Sequence, residues 1–466
     1  MRGKKIIYYG LPVLGMLFCL WYIKAATCDI VYTDYIRLVN SYLPDVLNPA
    51  KFFVPDVLTR IPIHYLGRII NVALFGYSTT FDMVLGALGL GLSGLVLGAY
   101  CIRRKVGIVW YGFLIFVLFG LDKWEMLTNG TGWGHFLAFA LFYYHYGVFD
   151  RVVCGKEHKH DRILLFMLPA VITLGVAGPY CAVYSVTMLI FYALAGLSRI
   201  WGRADGRSAA DVRFWIACGI AVLIPLLLYL WSNSYAVEDH AGAVDVTLKE
   251  VLTGTPGFFP RFLLKSLASM VLGGETVLSL LEQGTVTDGM VYLLGAVVAA
   301  GYLAALYLNL RYRLYHKTVL PLMLLVAGMG NHALIVVSRY IFLNENYGMS
   351  SRYALQYQVG ILGILLTFGL LWKRIAPAAG RAVICVFCVF LLAGHGYTDY
   401  EECKKAPYRE AYAENIAAVA LRFEEESDEV LRNTFDYRKS RPDSGAKVRQ
   451  AMTILKEHGW NVFGGR

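Results

Sequence analysis

Blocks of about twenty apolar residues recur along most of this 466-residue chain, and they constrain its fold more than any other feature. A helix of about 20 apolar residues crosses a hydrocarbon core of roughly 30 Å. Backbone polar groups in lipid must bond within the protein, so a spanning segment is either a helix or part of a closed barrel. The runs are continuous and lack the alternation of barrel strands. They predict an all-α, polytopic membrane protein.

The composition supports a membrane protein and bears on its partners. Hydrophobic residues make up 57% of the chain and charged residues 16%, whereas a soluble domain carries about 25% charged residues. The net charge of +10 would suggest nucleic acid in a soluble protein. In a polytopic membrane protein, Lys and Arg instead concentrate in cytoplasmic loops. We therefore expect the lipid bilayer as a partner and no nucleic acid.

The apolar runs predict about eleven transmembrane helices. They lie near residues 6–25, 80–101, 107–121, 133–149, 163–178, 182–198, 214–232, 288–310, 318–342, 354–372 and 382–397. Alternate connecting segments, beginning with 1–5, hold 20 Lys and Arg, which predicts a cytoplasmic N-terminus and an external C-terminus in the plasma membrane. Residues 1–397 are then the transmembrane domain, and 398–466 are a small external helical segment.

The first predicted external loop, residues 26–79, contains two amphipathic stretches. Apolar residues recur at helical spacing in the first stretch, at Tyr35, Leu38, Val39, Tyr42, Leu43, Val46 and Leu47. The second stretch follows Arg60 and runs to about residue 76. Both are predicted to be helices lying in the membrane interface. Residues 248–285 contain Pro, Gly and charge, and we expect an interfacial or re-entrant element there.

Polar residues gather in four segments that the predicted topology places on the external side. These are 29–64, with Asp29, Asp34, Arg37, Arg60 and His64; 121–136, with Glu125 and Asn129; 177–184, a tight turn; and 338–358, with Arg339, Arg352 and Tyr353. Ionisable groups near a bilayer are costly and tend to mark function. The four segments therefore predict one site at the external ends of the helices.

Each candidate residue also has a simpler interpretation. Asp34 could be a solvated acid or a partner of Arg37 one helical turn on, and Asp29 could cap a helix. Asn129 begins an Asn-Gly-Thr sequence that fits either a turn or a glycosylation acceptor. Arg352 could extend to the interface or bind phosphate through its planar fork. His64 could be an ordinary interfacial histidine.

The N-terminal third resembles the GT-C superfamily of glycosyltransferases, with bacterial relatives of the protein mannosyltransferases and the aminoarabinose transferase as the nearest pattern. The matching elements are Asp34-Tyr35-Ile36-Arg37-Leu38 after the first crossing, then Pro62, His64 and Tyr65, then Leu74-Phe75-Gly76, and Arg103-Arg104-Lys105 at the end of a long helix. The resemblance covers residues 1–150 and implies a GT-C-like fold with Asp34 as the catalytic base. The remaining candidate residues are predicted from their chemistry to bind substrate. The sequence departs from the GT-C pattern at two points. Tyr35 stands where many members have Glu, and the usual second acid has no clear counterpart, so a requirement for Mg²⁺ or Mn²⁺ stays open.

The resulting functional prediction is transfer of a sugar from a polyprenyl-phosphate donor to a glycan, lipid or protein acceptor. A carboxylate would deprotonate the attacking hydroxyl, and arginines would hold the leaving phosphate. The sequence leaves three alternative functions open. They are a polysaccharide polymerase or ligase of the O-antigen type, a transporter or flippase of lipid-linked glycans, and a non-catalytic scaffold.

Overall fold

Helices form the regular secondary structure of this computed structural model, which describes residues 2–53, 61–201, 209–234, 242–375 and 378–464. Those ranges contain no strand. The α-helices are α1 (Arg2–Ala26), α2 (Asp34–Tyr42), α3 (Pro62–Phe75), α4 (Thr79–Arg104), α5 (Ile108–Leu118), α6 (Trp124–Thr128), α7 (Trp133–Val153), α8 (Asp161–Ala170), α9 (Cys181–Trp201), α10 (Ala209–Asn233), α11 (Leu248–Gly254), α12 (Phe258–Ala268), α13 (Gly274–Glu282), α14 (Asp288–Arg311), α15 (Leu320–Arg339), α16 (Ala354–Leu371), α17 (Ala378–Leu421), α18 (Asp428–Thr434) and α19 (Ser444–Glu457).

Within the described ranges, eight helical runs are long and apolar enough to cross a membrane. They are Lys5–Ala26, Thr79–Arg104, Asp161–Ser198, Asp211–Asn233, Asp288–Arg311, Leu320–Phe342, Ser351–Leu371 and Ala378–Leu421. The prediction of an all-α, multi-pass membrane protein is confirmed at this level. The count of eleven, the GT-C fold, the plasma membrane and the orientation of the termini remain predictions.

The difference between eleven and eight comes from three places in the chain. Two predicted crossings lie in the single run Asp161–Ser198. That run folds back at Gly178, which has a φ of 53°, and Tyr192 Oη donates to the Leu165 carbonyl at 3.0 Å across the two arms. The apolar helix α5 has 11 residues, a length of about 16 Å. The 21-residue helix α7 mixes histidine, tyrosine and charged residues with its apolar ones.

The apolar face of α2 packs against the C-terminal segment, which differs from its predicted place in the membrane interface. Ile36 and Val39 are fully buried in a cluster that includes Val448 and Met452 of α19. Asn40 Nδ2 also donates to the Lys447 carbonyl at 2.9 Å. Protein therefore covers the face that the sequence alone left for lipid.

The length of α17 explains how the C-terminal segment reaches α2. This helix runs for 44 residues without a break across the predicted boundary at residue 397. At 1.5 Å per residue it is about 66 Å long, more than twice the thickness of a hydrocarbon core. Its C-terminal part extends beyond the membrane-spanning part, and α18 and α19 fold back from it onto the first loop.

The other two expected non-spanning elements are helical. Helix α3 leaves Leu66, Ile70 and Leu74 exposed along one face, as expected for a helix lying in the membrane interface. Residues 248–282 form the three short helices α11, α12 and α13. Ser266 of α12 is buried, and its Oγ lies 2.9 Å from Nδ1 of His332 in α15. This segment is therefore packed into the bundle.

Candidate functional site

One cavity of about 150 Å³ is lined by residues from all four polar segments identified in the sequence. We call it the Asp34 pocket, and its lining is Asp34, Glu125, Met126, Asn129, Thr131, Gly132, His135, Tyr180 and Arg352. These residues come from α2, from the 124–135 region, from the turn after Gly178 and from the turn just before α16. Residues from distant parts of the chain thus line one cavity.

Asp34 is the first residue of α2, and its side chain is 42% exposed. One of its carboxylate oxygens lies 3.9 Å from Nη2 of Arg37, which sits one turn further along the helix. Thr33, just before it, has a φ of 47°, and its N–H donates to the Phe435 carbonyl at 2.9 Å. The C-terminal segment therefore fixes the start of α2 and holds a hydrated carboxylate at the edge of the pocket.

Glu125 and Arg352 form an ion pair inside the pocket. Arg352 directs both Nε and Nη2 to the same Glu125 oxygen, each at 2.6 Å, and Ser351 Oγ donates to the other oxygen at 3.1 Å. The side chain of Arg352 is nevertheless 54% exposed, so part of its guanidinium faces solvent. Glu125 therefore orients this arginine, which an incoming anion could still reach.

Asn129 forms a turn at the base of the pocket. Its Oδ1 accepts hydrogen bonds from Thr131 N–H and Oγ1, at 3.3 and 2.8 Å, and its Nδ2 donates to Thr33 Oγ1 at 3.1 Å. A Cβ on Gly130 would lie 2.5 Å from Tyr35 Oη, so only glycine fits there. Asn129 itself is only 9% exposed. These contacts favour the turn interpretation over a glycosylation acceptor and link the pocket base to α2.

Asp29 lies outside the pocket lining and supports the start of α4. Its Oδ1 accepts hydrogen bonds from Thr79 N–H and Oγ1, at 2.6 and 2.9 Å, and from Asn461 Nδ2 at 3.1 Å. A carboxylate at a helix N-terminus satisfies an otherwise unpaired N–H and interacts favourably with the helix dipole. This geometry favours the capping interpretation for Asp29.

His64 is half-buried behind the pocket. Its ring centroid lies 5.1 Å from that of Trp133 and 5.8 Å from that of His135, which lines the pocket. Burial, the neighbouring His135 and the positive charge of Arg68 hold the pKa of His64 well below its usual value. His64 is therefore neutral at physiological pH and is a neighbour of the pocket rather than a lining residue.

Arg339 and Tyr353 lie beside the pocket wall. Tyr353 is buried, accepts a hydrogen bond from Arg339 and directly precedes α16. Arg339 also interacts electrostatically with the pocket residue Tyr180. The predicted residue Arg60 lies outside the described residues.

Three residues with chemistry suited to a site were not among the predicted ones. His135 and Tyr180 line the pocket, and their rings lie 4.2 Å apart. Glu275 of α13 hydrogen-bonds Trp124 and Ser351 next to Glu125, and burial raises its pKa against the effect of those hydrogen bonds. Nothing in the sequence around Glu275 marks it, because it reaches the site only through the packing of 248–285 into the bundle.

The described residues do not fit a dedicated divalent-cation site. They include no group of three or more His, Cys, Asp and Glu side chains placed to hold a metal ion. In the pocket itself, Arg352 neutralises Glu125, which leaves Asp34 as the carboxylate without a close ion pair.

The arrangement combines a hydrated carboxylate, an oriented guanidinium and aromatic walls within one cavity. A carboxylate can accept a proton, and a guanidinium can hold a phosphate oxygen. Comparison of the chain with protein-family models, curated proteins and solved structures gave no match.

Proposed function

We propose that this protein is a membrane glycosyltransferase that moves a sugar from a polyprenyl-phosphate donor to a hydroxyl acceptor at one membrane face. One observation carries the proposal. Asp34, Glu125, Asn129 and Arg352 come from three separate polar segments of the sequence, and all four line the same cavity.

In the proposed reaction, Asp34 is the general base. The acceptor hydroxyl attacks the anomeric carbon of the donor sugar while its proton passes to the Asp34 carboxylate. The bond between that carbon and the phosphate oxygen breaks, and its electron pair leaves with the polyprenyl phosphate. Asp34 suits this role because it is 42% exposed and its ion pair with Arg37 is long, at 3.9 Å. A carboxylate in such surroundings is open to a substrate hydroxyl.

Arg352 is proposed to bind the leaving phosphate, whose negative charge grows in the transition state. Glu125 holds the guanidinium through two 2.6 Å contacts to one carboxylate oxygen. A phosphate entering the pocket would share the exposed side of this guanidinium. The fork geometry of arginine suits a phosphate better than the point charge of lysine does.

The apolar surroundings suit a lipid-linked donor. Tyr180 lines the Asp34 pocket and also a narrow aromatic gap of about 10 Å³ deeper in the bundle. The other lining residues of this gap are Phe139, Phe142, Tyr143, Tyr146, Val183, Tyr184, Ala327, Asn331 and Val359. Tyr180 thus joins the Asp34 pocket to a mainly aromatic part of the bundle.

The test is exchange of Asp34 for Asn, which keeps the size and hydrogen bonding of the side chain but cannot accept the proton. We expect Asp34→Asn to lower sugar transfer about 10²–10⁴-fold, the usual cost of losing a general base. A deletion strain complemented with the variant, scored by its surface glycan, measures this effect. The matched control is Asp45→Asn, an acid of the same loop that lies outside the pocket. Full restoration of the glycan by a well-expressed Asp34→Asn protein would overturn the proposed mechanism.

A further inference from the structure

A second cavity lies between α4 and α7 at the end of the bundle opposite the Asp34 pocket. It measures about 230 Å³, and we call it the Arg103 crevice. Its lining is Leu95, Val96, Leu97, Ala99, Tyr100, Arg103, Tyr143, Tyr144, Gly147, Arg151 and Leu320. Arg103 follows Asp82, which contacts Tyr35 of α2, by 21 positions along α4, a rise of about 32 Å. The two cavities are thus separated by roughly the thickness of a hydrocarbon core.

The crevice opens sideways, through the face that α4 turns away from the bundle. Ala99 is exposed, and Leu95, Val96 and Tyr144 are half-buried at the mouth, whereas Leu97 and Tyr143 are buried inside. Because α4 is one of the membrane-spanning runs, this mouth faces lipid chains rather than water. An apolar slot that opens into lipid suits an acyl chain.

The charged groups beside the crevice leave one arginine in surplus. Asp150 is fully buried and bonds Arg104 through one oxygen, while its other oxygen accepts from Thr318 Oγ1 at 2.6 Å and Val319 N–H at 2.7 Å. Arg103 lies further from this carboxylate, with 3.8 Å between its Nη2 and Asp150 Oδ2. Both oxygens of Asp150 are therefore already hydrogen-bonded, and Arg103 makes only a long contact with one of them.

The third arginine of this region already has its own acid. Arg151 forms a two-pronged ion pair with Asp161, at 2.7 Å from Nε and 2.5 Å from Nη2. By contrast, Nε of Arg103 is buried and has no hydrogen-bond partner among the described residues. Arg103, Arg104 and Arg151 thus exceed Asp150 and Asp161 by one positive charge. The N–H without a partner belongs to Arg103, which lines the crevice.

We propose that the Arg103 crevice binds an anionic phospholipid of the leaflet at this end, with its phosphate on Arg103 and an acyl chain in the slot. The Arg103 side chain is 23% exposed, and a phosphate bound at its guanidinium would balance the surplus charge. The chain would pack against Leu95, Val96 and Ala99 of α4. A free phosphate ion would satisfy the arginine but would leave the apolar slot empty. The proposal does not depend on the glycosyltransferase reaction.

The experiment is native mass spectrometry of the full-length protein in detergent, with phosphatidylglycerol as the probe. We expect Arg103→Gln to lower the affinity for phosphatidylglycerol about tenfold, as for loss of one hydrogen bond to a charged group. Arg162→Gln is the matched control, since Arg162 lies at the same end, is 55% exposed and pairs with Glu157. It should bind as the unaltered protein does.

A second variant tests the slot while keeping the charge. Ala99→Trp should block the mouth and also reduce binding of phosphatidylglycerol, although Arg103 is intact. Zwitterionic phosphatidylcholine should bind the unaltered protein about tenfold more weakly than phosphatidylglycerol. Equal binding of phosphatidylglycerol by Arg103→Gln and Arg162→Gln would overturn the site. Thermal stabilisation by inorganic phosphate as large as that by phosphatidylglycerol would overturn its assignment to lipid.

Discussion

Asp34 and Asp150 stand at opposite ends of the bundle, and their surroundings differ in almost every respect. The Asp34 side chain is 42% exposed and has one long ion pair. Asp150 is fully buried, and its two oxygens bond Arg104, Thr318 and the backbone of Val319. The Asp150 carboxylate ties the ends of α4 and α7 to the segment just before α15, whereas the Asp34 carboxylate remains exposed.

Whether an aspartate has a structural or a chemical role therefore depends on the groups around its carboxylate. A buried carboxylate must be paired because an unpaired buried charge is very costly. An exposed one is screened by water and contributes little to stability. The two aspartates should therefore respond in opposite ways to substitution, one through stability and the other through activity.

The largest effect on stability is expected at Asp150. Asp150→Ala should lower the free energy of unfolding by about 3–5 kcal/mol, because it leaves the guanidinium of Arg104 buried without its partner. The measurement is the fraction of monodisperse protein that survives heating in detergent. Asp34→Ala is the control and should change stability by less than about 1 kcal/mol. A similar loss of stability in Asp150→Ala and Asp34→Ala would contradict the structural role assigned to Asp150 alone.

The next effect concerns Arg352 at the Asp34 end. Arg352→Lys keeps the charge but loses the planar fork, so sugar transfer should fall about tenfold while thermal stability stays near that of the unaltered protein. The surface glycan of complemented cells reports transfer. Arg162→Lys, at the opposite end, serves as the control for a general effect of replacing an arginine. Full activity of Arg352→Lys would favour an interfacial role for this residue over phosphate binding.

The pH dependence of stability should carry a contribution from His64. Its pKa is lower in the folded protein than the unfolded value of about 6.5, so the unfolded chain binds more protons below that pH. Stability should therefore fall as the pH drops below about 6.5, by up to about 1.4 kcal/mol per pH unit, until the folded pKa is reached. His64→Gln should reduce this slope in thermal unfolding measured between pH 7.5 and 5. An unchanged slope would show that His64 protonates freely in the folded protein.

The smallest effect is expected where α2 packs on the C-terminal segment. Ile36→Val should cost about 0.5–1.5 kcal/mol, because Ile36 is fully buried in that cluster. Leu47→Ala removes more atoms but should cost less, since Leu47 is 75% exposed. Thermal unfolding of both variants makes the comparison. A larger loss for Leu47→Ala would indicate that the first loop is stabilised by contacts other than those of α2 with α19.

Some of the site could be predicted from residue chemistry alone. Asp34, Glu125, Asn129 and Arg352 stand out because charged and amide side chains are conspicuous next to apolar runs, and all four line one cavity. Asp29 stands out for the same reason, yet its contacts with Thr79 and Asn461 give it a capping role. A sequence pattern detects a polar group near a membrane segment, but it does not show which neighbour that group meets.

The apolar runs by themselves determined an all-helical, multi-pass protein, because lipid leaves the backbone few ways to satisfy its hydrogen bonds. The amphipathic pattern of α2 likewise determined that one of its faces must be buried. Only the tertiary structure decided what buries it. The long helix α17 carries α19 back to α2, and α13 brings Glu275 next to Glu125. Helical periodicity shows that one face of a helix avoids water. The pattern is the same whether that face is buried by lipid or by a distant part of the chain.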